Sequence, residues 1–190
     1  MISINYKQFF KNQLIYLISA MTIFLLAGCV EEPGGTKTNI PDRQSALEIA
    51  LKQLNKEYVW GGRGPDNFDC SGLITYSYKM ALERNYIFNI DGWVTDDATM
   101  QDLYDYNVEI ISLSRMKPGD IIFMTDTEGE ITHGGLFREW IQENKRFKFV
   151  HASSYYGKVI EDTWYINNMD RDLWFVNAGR FEASRSYWKW

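Results

Sequence analysis

The chain has 190 residues, 45 % of them hydrophobic and 16 % aromatic, which suffices for one domain around a single core and excludes general disorder. Its formal net charge is −5, and it carries no basic patch of the kind that marks a nucleic-acid binder. Only two cysteines and two histidines are present, so any chemistry that needs those side chains has few positions to use.

At the start, Lys7 and Lys11 precede an uncharged stretch from Leu14 to Ala27. A basic region followed by a short apolar one reads as a signal peptide, too short for a comfortable bilayer span. It runs into Leu26-Ala27-Gly28-Cys29, which resembles the lipobox of bacterial lipoproteins. That resemblance implies removal of residues 1–28 and lipidation of Cys29, against the plainer alternative of an ordinary signal peptide or an N-terminal anchor helix. Two or more acyl chains on Cys29 would hold the protein stably on a membrane of the cell envelope. Val30, rather than Asp, follows the cysteine, the pattern of lipoproteins sent to the outer membrane if the envelope is Gram-negative.

Residues 29–41 hold two acids, two prolines and two glycines with few apolar side chains, and read as a tether to a domain spanning 42–190. Asp42 can N-cap a helix carrying Ala46, Leu47, Ala50, Leu51 and Leu54 on one face and stopping near Glu57. Tyr58-Val59-Trp60 and Gly61-Gly62 then break the pattern. After a loop through Gly64-Pro65-Asp66-Asn67, the run from Cys70 through Leu82 is apolar around most of a helix circumference. Residues 85–106 are acidic and mixed, with a short helix expected over 96–104. Five strands follow, at 119–124, 132–140, 147–153, 158–161 and 173–181, separated by polar or Gly-containing turns. Helices first and antiparallel strands afterwards indicate an α+β domain. The closing Tyr187-Trp188-Lys189-Trp190 could stack on sugar rings, but such aromatics more often pack onto their own domain.

If Cys29 is lipidated, Cys70 has no disulfide partner, which raises either a reactive thiol or a small buried hydrophobe. His133 and His151 lie on consecutive expected strands, at equal distances from a turn near residue 142. In an antiparallel hairpin they would face one another, with Cβ atoms roughly 4.5–5.5 Å apart. The start of a helix favours an anion, and a neighbouring imidazolium lowers a thiol pKa, so Cys70 is expected as part of a thiolate–imidazolium pair. The second imidazole would orient the first. One Cys and two His could also supply three zinc ligands, but no Cys-x-x-Cys, His-x-x-x-His or fourth ligand accompanies them.

Tyr58-Val59-Trp60-Gly61-Gly62 and Phe68-Asp69-Cys70-Ser71-Gly72-Leu73-Ile74 together resemble the signature of the NlpC family of cell-wall cysteine peptidases. Lys117-Pro118-Gly119-Asp120, Ile131-Thr132-His133-Gly134-Gly135 and Phe149-Val150-His151-Ala152-Ser153 match later family motifs in the same order. The resemblance implies a papain-like α+β fold with a cysteine-bearing helix packed on an antiparallel sheet. It implies Cys70 as nucleophile, His133 as general base and His151 as the polar third member. Tyr58 would place its hydroxyl beside the nucleophile or would be a core aromatic. Asp69 and Ser71 would line the substrate cleft, with a helix N-cap the other role open to Asp69. The implied reaction is hydrolysis of a peptidoglycan stem-peptide amide, commonly the γ-D-glutamyl bond to a diamino acid, through a thioester on Cys70 and with no cofactor or metal. Two features depart from the family: Gly134 stands where a β-branched residue is common, loosening the strand, and residues 91–102 match a family stretch only faintly. A monomer is expected. Rival readings are a wall-binding or scaffolding lipoprotein on the same fold, and an acyltransferase acting on another amide or ester.

Overall fold

A computed structural model describes Thr36–Lys37 and residues 40–183. The leader, Cys29 and the aromatic residues 187–190 lie outside the described residues. In chain order the elements are β1 (Thr36–Lys37), α1 (Ile40–Leu51), β2 (Glu57–Tyr58), β3 (Asn67–Phe68), α2 (Cys70–Leu82), β4 (Phe88–Ile90) and β5 (Trp93–Thr95). They continue with α3 (Met100–Tyr106), β6 (Val108–Ile111), β7 (Ile121–Thr125), β8 (Ile131–Gln142), β9 (Arg146–Ser153), β10 (Lys158–Tyr165) and β11 (Trp174–Ala183). The class is α+β, as expected. No helix among the described residues is long and apolar enough to cross a membrane.

The main sheet runs β1-β11-β7-β8-β9-β10-β2-β3, with β6 also paired to β11, and all pairs but β2–β3 are antiparallel. On β7 the side chains alternate between two cores, which is why Ile121-Ile122-Phe123-Met124 is an unbroken apolar run. Ile121 and Phe123 pack with Leu73, Ile74 and Leu103 of the helices, whereas Ile122 and Met124 face an aromatic cluster of Phe137, Phe147, Phe149 and Trp164. In that cluster Phe147 of β9 stacks edge-on against Phe175 of β11, with centroids 5.7 Å apart. Those strands are separated by β7 and β8, so the sheet must curl strongly for the two rings to meet.

α2 is the central helix, its first half buried on all sides from Cys70 to Thr75. Gly72 permits this, since a Cβ there would lie 1.9 Å from the Gly62 carbonyl oxygen. Helix α1 differs from the sequence reading at both ends. It begins at Ile40, so Asp42 sits in its first turn rather than at its cap, where the carboxylate still favours the positive end of the helix dipole. It ends at Leu51, and Asn55 takes a positive φ of 69° in the turn toward β2. β1 falls within the stretch read as a tether and pairs with the end of β11. Residues 85–106 hold the β4–β5 hairpin and α3, which starts later than expected because Thr99 and Asp102 form a capping box.

Asp120 ties the ends of the domain together. Wholly buried, it accepts from Arg43 of α1 at 2.7 Å, from Arg180 of β11 at 3.1 Å and from the Lys117 amide at 2.7 Å. Beside it, Tyr78 of α2 donates its hydroxyl to the Gly119 carbonyl at 2.7 Å. Replacing Asp120 by alanine would leave two guanidinium groups without their buried counter-charge. A loss of roughly 3–5 kcal/mol in urea-unfolding stability is expected for Asp120→Ala.

Candidate active site

Asp69 builds the entrance to α2. In extended conformation (φ −96°, ψ −177°), it is the N-cap, its Oδ1 accepting from the Gly72 amide at 2.6 Å and from the Ser71 hydroxyl at 3.0 Å. Its Oδ2 accepts from the Gly61 amide at 3.0 Å and from Arg63 at 2.5 Å, and Arg63 also reaches Asp97 at 2.6 Å. Asp69 and Ser71 are both buried. Their polar atoms are taken up in fastening α2 to the Gly61-Gly62 turn, and for Asp69 the capping role is the one observed.

Cys70 occupies the first position of α2, buried, with its thiol donating to the Thr132 carbonyl at 3.7 Å. The sulfur thus abuts the peptide just before His133. Burial pushes the thiol up to about 12, and the Asp69 carboxylate adds to the rise. The backbone amides of Ser71 and Cys70, and then Arg63, pull the other way without overcoming it. The helix start favours the anion, and removal from water works against it. Tyr58, on β2 and half-buried, has its phenol raised by burial first and then by the charges of Cys70 and Asp69.

The two histidines meet, by a register different from the one expected. The β8–β9 turn centres on Asn144 rather than 142, with Gln142 opposite Arg146. Two register shifts along the ladder bring Leu136 opposite Val150. Continuing that pairing, Gly135 stands across from His151, and His133 is its diagonal neighbour on the same face. Gly135 is what makes room, since a Cβ there would lie 2.8 Å from the His151 Cβ and 2.4 Å from the Val150 carbonyl oxygen. Gly134 is also packed tightly, its site for a Cβ 2.2 Å from the Ile122 carbonyl oxygen, so it brings β7 and β8 close rather than loosening the strand. His133 Nε2 and His151 Nδ1 are 2.7 Å apart, a hydrogen bond between rings at 78°. Phe149 stacks flat against His151 at 4.4 Å.

Behind the pair stand two residues that the sequence reading missed. Asp162 of β10 lies with Oδ2 3.7 Å from His151 Nε2, and Arg171, from the β10–β11 connection, reaches the same oxygen at 2.8 Å. An Asp inside a strand, where the residue is disfavoured, was the available signal for the first. Nothing in the local pattern marks Arg171. A cavity of ≈ 250 Å³ opens onto His133, His151, Ser153, Tyr155, Trp164 and Arg171. Among the described residues no cluster of three or more His, Cys, Asp or Glu is arranged to hold a metal ion.

Burial holds His133 well below the ordinary imidazole range, with the like charges of His151 and Arg171 adding to the effect. His151 is lowered by burial too, against the opposing pull of Asp162. Burial thus favours the neutral form of the thiol and of both imidazoles.

The sequence model of the NlpC/P60 family matches residues 55–178. The chain belongs to the NlpC/P60 family. Its fold is the papain-like α+β domain of that family. Among curated relatives, the Escherichia coli (strain K12) protein named "Probable endopeptidase YafL" is 35 % identical over 95 residues, 48 % of this chain and 34 % of YafL. Murein DD-endopeptidase MepH of the same organism is 30 % identical over 125 residues, 63 % of this chain and 41 % of MepH. The matches therefore span well under two thirds of these relatives' lengths. NlpC1 from Trichomonas vaginalis shares the fold at 23 % identity and a TM-score of 0.55, covering 82 % of this chain and 49 % of its own. A Staphylococcus aureus Mu50 protein described as similar to lipoprotein, NLP/P60 family, aligns at 26 % identity and a TM-score of 0.54, covering 80 % of this chain and 45 % of its own.

Because both folded imidazoles resist protonation below the unfolded value of 6.5, the unfolded chain binds more protons as pH falls through that point. Stability should be level above it and decline below it. Asp162, held at about 2 against an ordinary 3.8, contributes a further loss only as pH falls through that lower window. Urea midpoints should drop between about pH 7.5 and about pH 5 for the wild type, and drop less for His151→Gln.

Proposed function

We propose that this chain is a cysteine endopeptidase that hydrolyses an amide bond in peptidoglycan stem peptides, with Cys70, His133 and His151 as its catalytic set. The observation that carries the reading is the 2.7 Å imidazole pair, whose strand passes its Thr132 carbonyl to the Cys70 thiol. The thiol would turn from Thr132 toward His133, since catalytic hydrogen bonds often tighten only once substrate is bound. As Sγ attacks the amide carbonyl, its proton passes to His133, and the amides at the start of α2 face the developing oxyanion. Family resemblance supports Tyr58 as a further hydroxyl donor at this point. The imidazolium of His133, supported by His151, then protonates the leaving amine and a thioester remains on Cys70. Water, deprotonated by His133, releases the acid and restores the thiol. Each step draws on side chains and backbone amides of the protein and on one water molecule.

The favoured bond is the γ-D-glutamyl link to a diamino acid, which family resemblance supports. Cleavage of the cross-link between stems is a second reading, favoured by the name of MepH, a murein DD-endopeptidase matched over 63 % of this chain. Export, lipidation of Cys29 and residence on a cell-envelope membrane complete the proposal, supported by the leader pattern and Leu26-Ala27-Gly28-Cys29.

The full chain should release stem fragments from purified peptidoglycan, and mass spectrometry of products from defined stem peptides should identify the bond. Cys70→Ala should lower release to background with an unchanged unfolding midpoint. A Cys70→Ala chain that cuts as fast as wild type would remove the nucleophile assignment.

A further inference from the structure

A hydrogen bond between two neutral imidazoles can be made in either of two directions, and only one of them suits a base. If His151 donated from Nδ1, then His133 Nε2 would be the acceptor. The proton of neutral His133 would then sit on Nδ1, and that ring could not take another from the thiol. If His133 donates from Nε2, its Nδ1 carries the free lone pair. The 2.7 Å separation alone does not choose between them.

The choice is made on the far side of His151. Its Nε2 is buried and makes no hydrogen bond among the described groups, yet it lies 3.7 Å from Asp162 Oδ2. That contact is within ion-pair reach, and a side-chain adjustment of under an ångström would make it a hydrogen bond. The strand ladder produces the approach. Ile160 pairs with His151, and Asp162, two residues along β10, is on the same face as its diagonal neighbour. Arg171 Nη2 grips Asp162 at 2.8 Å and is itself packed over Trp164 at 4.7 Å, with Asp170 as its second carboxylate at 3.0 Å. The Thr163 amide binds the other Asp162 oxygen at 2.7 Å. Asp162 is therefore fixed, ionised and able only to accept.

We propose that Asp162 is a positioning residue for the histidine pair: clamped by Arg171, it keeps the proton of His151 on Nε2, which leaves His133 Nδ1 unprotonated for the thiol. The inference rests on His133 as general base for its effect on rate, but its effect on the rings stands apart from any activity. A lone pair on His151 Nε2 would face a carboxylate oxygen, a repulsive arrangement in a buried site. The same chain of reasoning orders four residues, Cys70, His133, His151 and Asp162, from the reacting atom outward.

The test is the tautomer itself, read from ring nitrogen shifts in the ¹⁵N-labelled full chain near neutral pH. The wild type should carry the His151 proton on Nε2 and the His133 proton on Nε2. Finding the His151 proton on Nδ1 in the wild type overturns the proposal without recourse to any variant. Asp162→Asn, which can offer an N–H to the ring, should mix or reverse the tautomers, and Asp162→Glu should largely restore them. Arg171→Gln should keep the wild-type pattern, because the carboxylate remains. With a defined stem peptide, Asp162→Asn should lower kcat/KM at least about 10-fold, less than the roughly 10⁴-fold cost of mispairing a directly held catalytic histidine. Its acid limb should move to lower pH, since a charge that favours imidazolium is lost. An Asp162→Asn chain with wild-type tautomers and an unmoved acid limb would show the Asp162–Arg171 pair to be structural only.

Discussion

Everything around Cys70 depends on the carboxylate of Asp69. Its two oxygens gather two backbone amides, a hydroxyl and a guanidinium, and so join the start of α2 to the Gly61-Gly62 turn. Gly72 lets the helix approach that turn at backbone contact, and the Asp69 amide donates back to the Gly62 carbonyl at 3.0 Å. With the helix start held in this way, the position of Cys70 is no longer a free variable. Tyr58 comes with it, since β2 and β3 are paired on either side of the same turn. The arrangement has an electrostatic cost. A carboxylate close to the sulfur opposes its ionisation, and burial opposes it further.

The other half of the site lies on the sheet. Burial disfavours charge on both imidazoles, as it does on the thiol. Gly135 opposite His151 and Gly134 against β7 let three strands come close enough to bury the pair. The strong curl that brings Phe147 to Phe175 gives β9 an aromatic backing, of which Phe149 under His151 is the last ring. Packing on one side and a clamped carboxylate on the other leave His151 little freedom to turn.

Much of this was legible beforehand because it follows from local chemistry. α2 begins at Cys70 because Asp69 is a capping residue followed by a long apolar run, and both features are visible in the letters. The five long strands follow from alternation and turns, whereas the placing of β11 beside β7 in the sheet does not. The pairing of His133 with His151 was inferred correctly as a contact, but its register was not. Two shifts in the β8–β9 ladder and a turn at Asn144 are cooperative outcomes of strand twist and packing, with no signature at any single position. The direction in which Asp69 and Ser71 point is likewise decided by what else competes for their hydrogen bonds, namely Gly61 and Arg63 from a turn that sequence cannot place in space. Asp162 and Arg171 were missed because they enter through a strand longer than expected and a connection without pattern.

The burial of the Cys70 thiol has a second consequence. Peroxides and electrophiles attack thiolates, and their selectivity for a cysteine follows how ionised and how accessible it is. A nucleophile that is ionised all the time is open to that damage between turnovers. Cys70 is buried, and burial opposes its ionisation, so both determinants of such attack are reduced at this sulfur. The same burial that opposes ionisation therefore also shields the sulfur from oxidants.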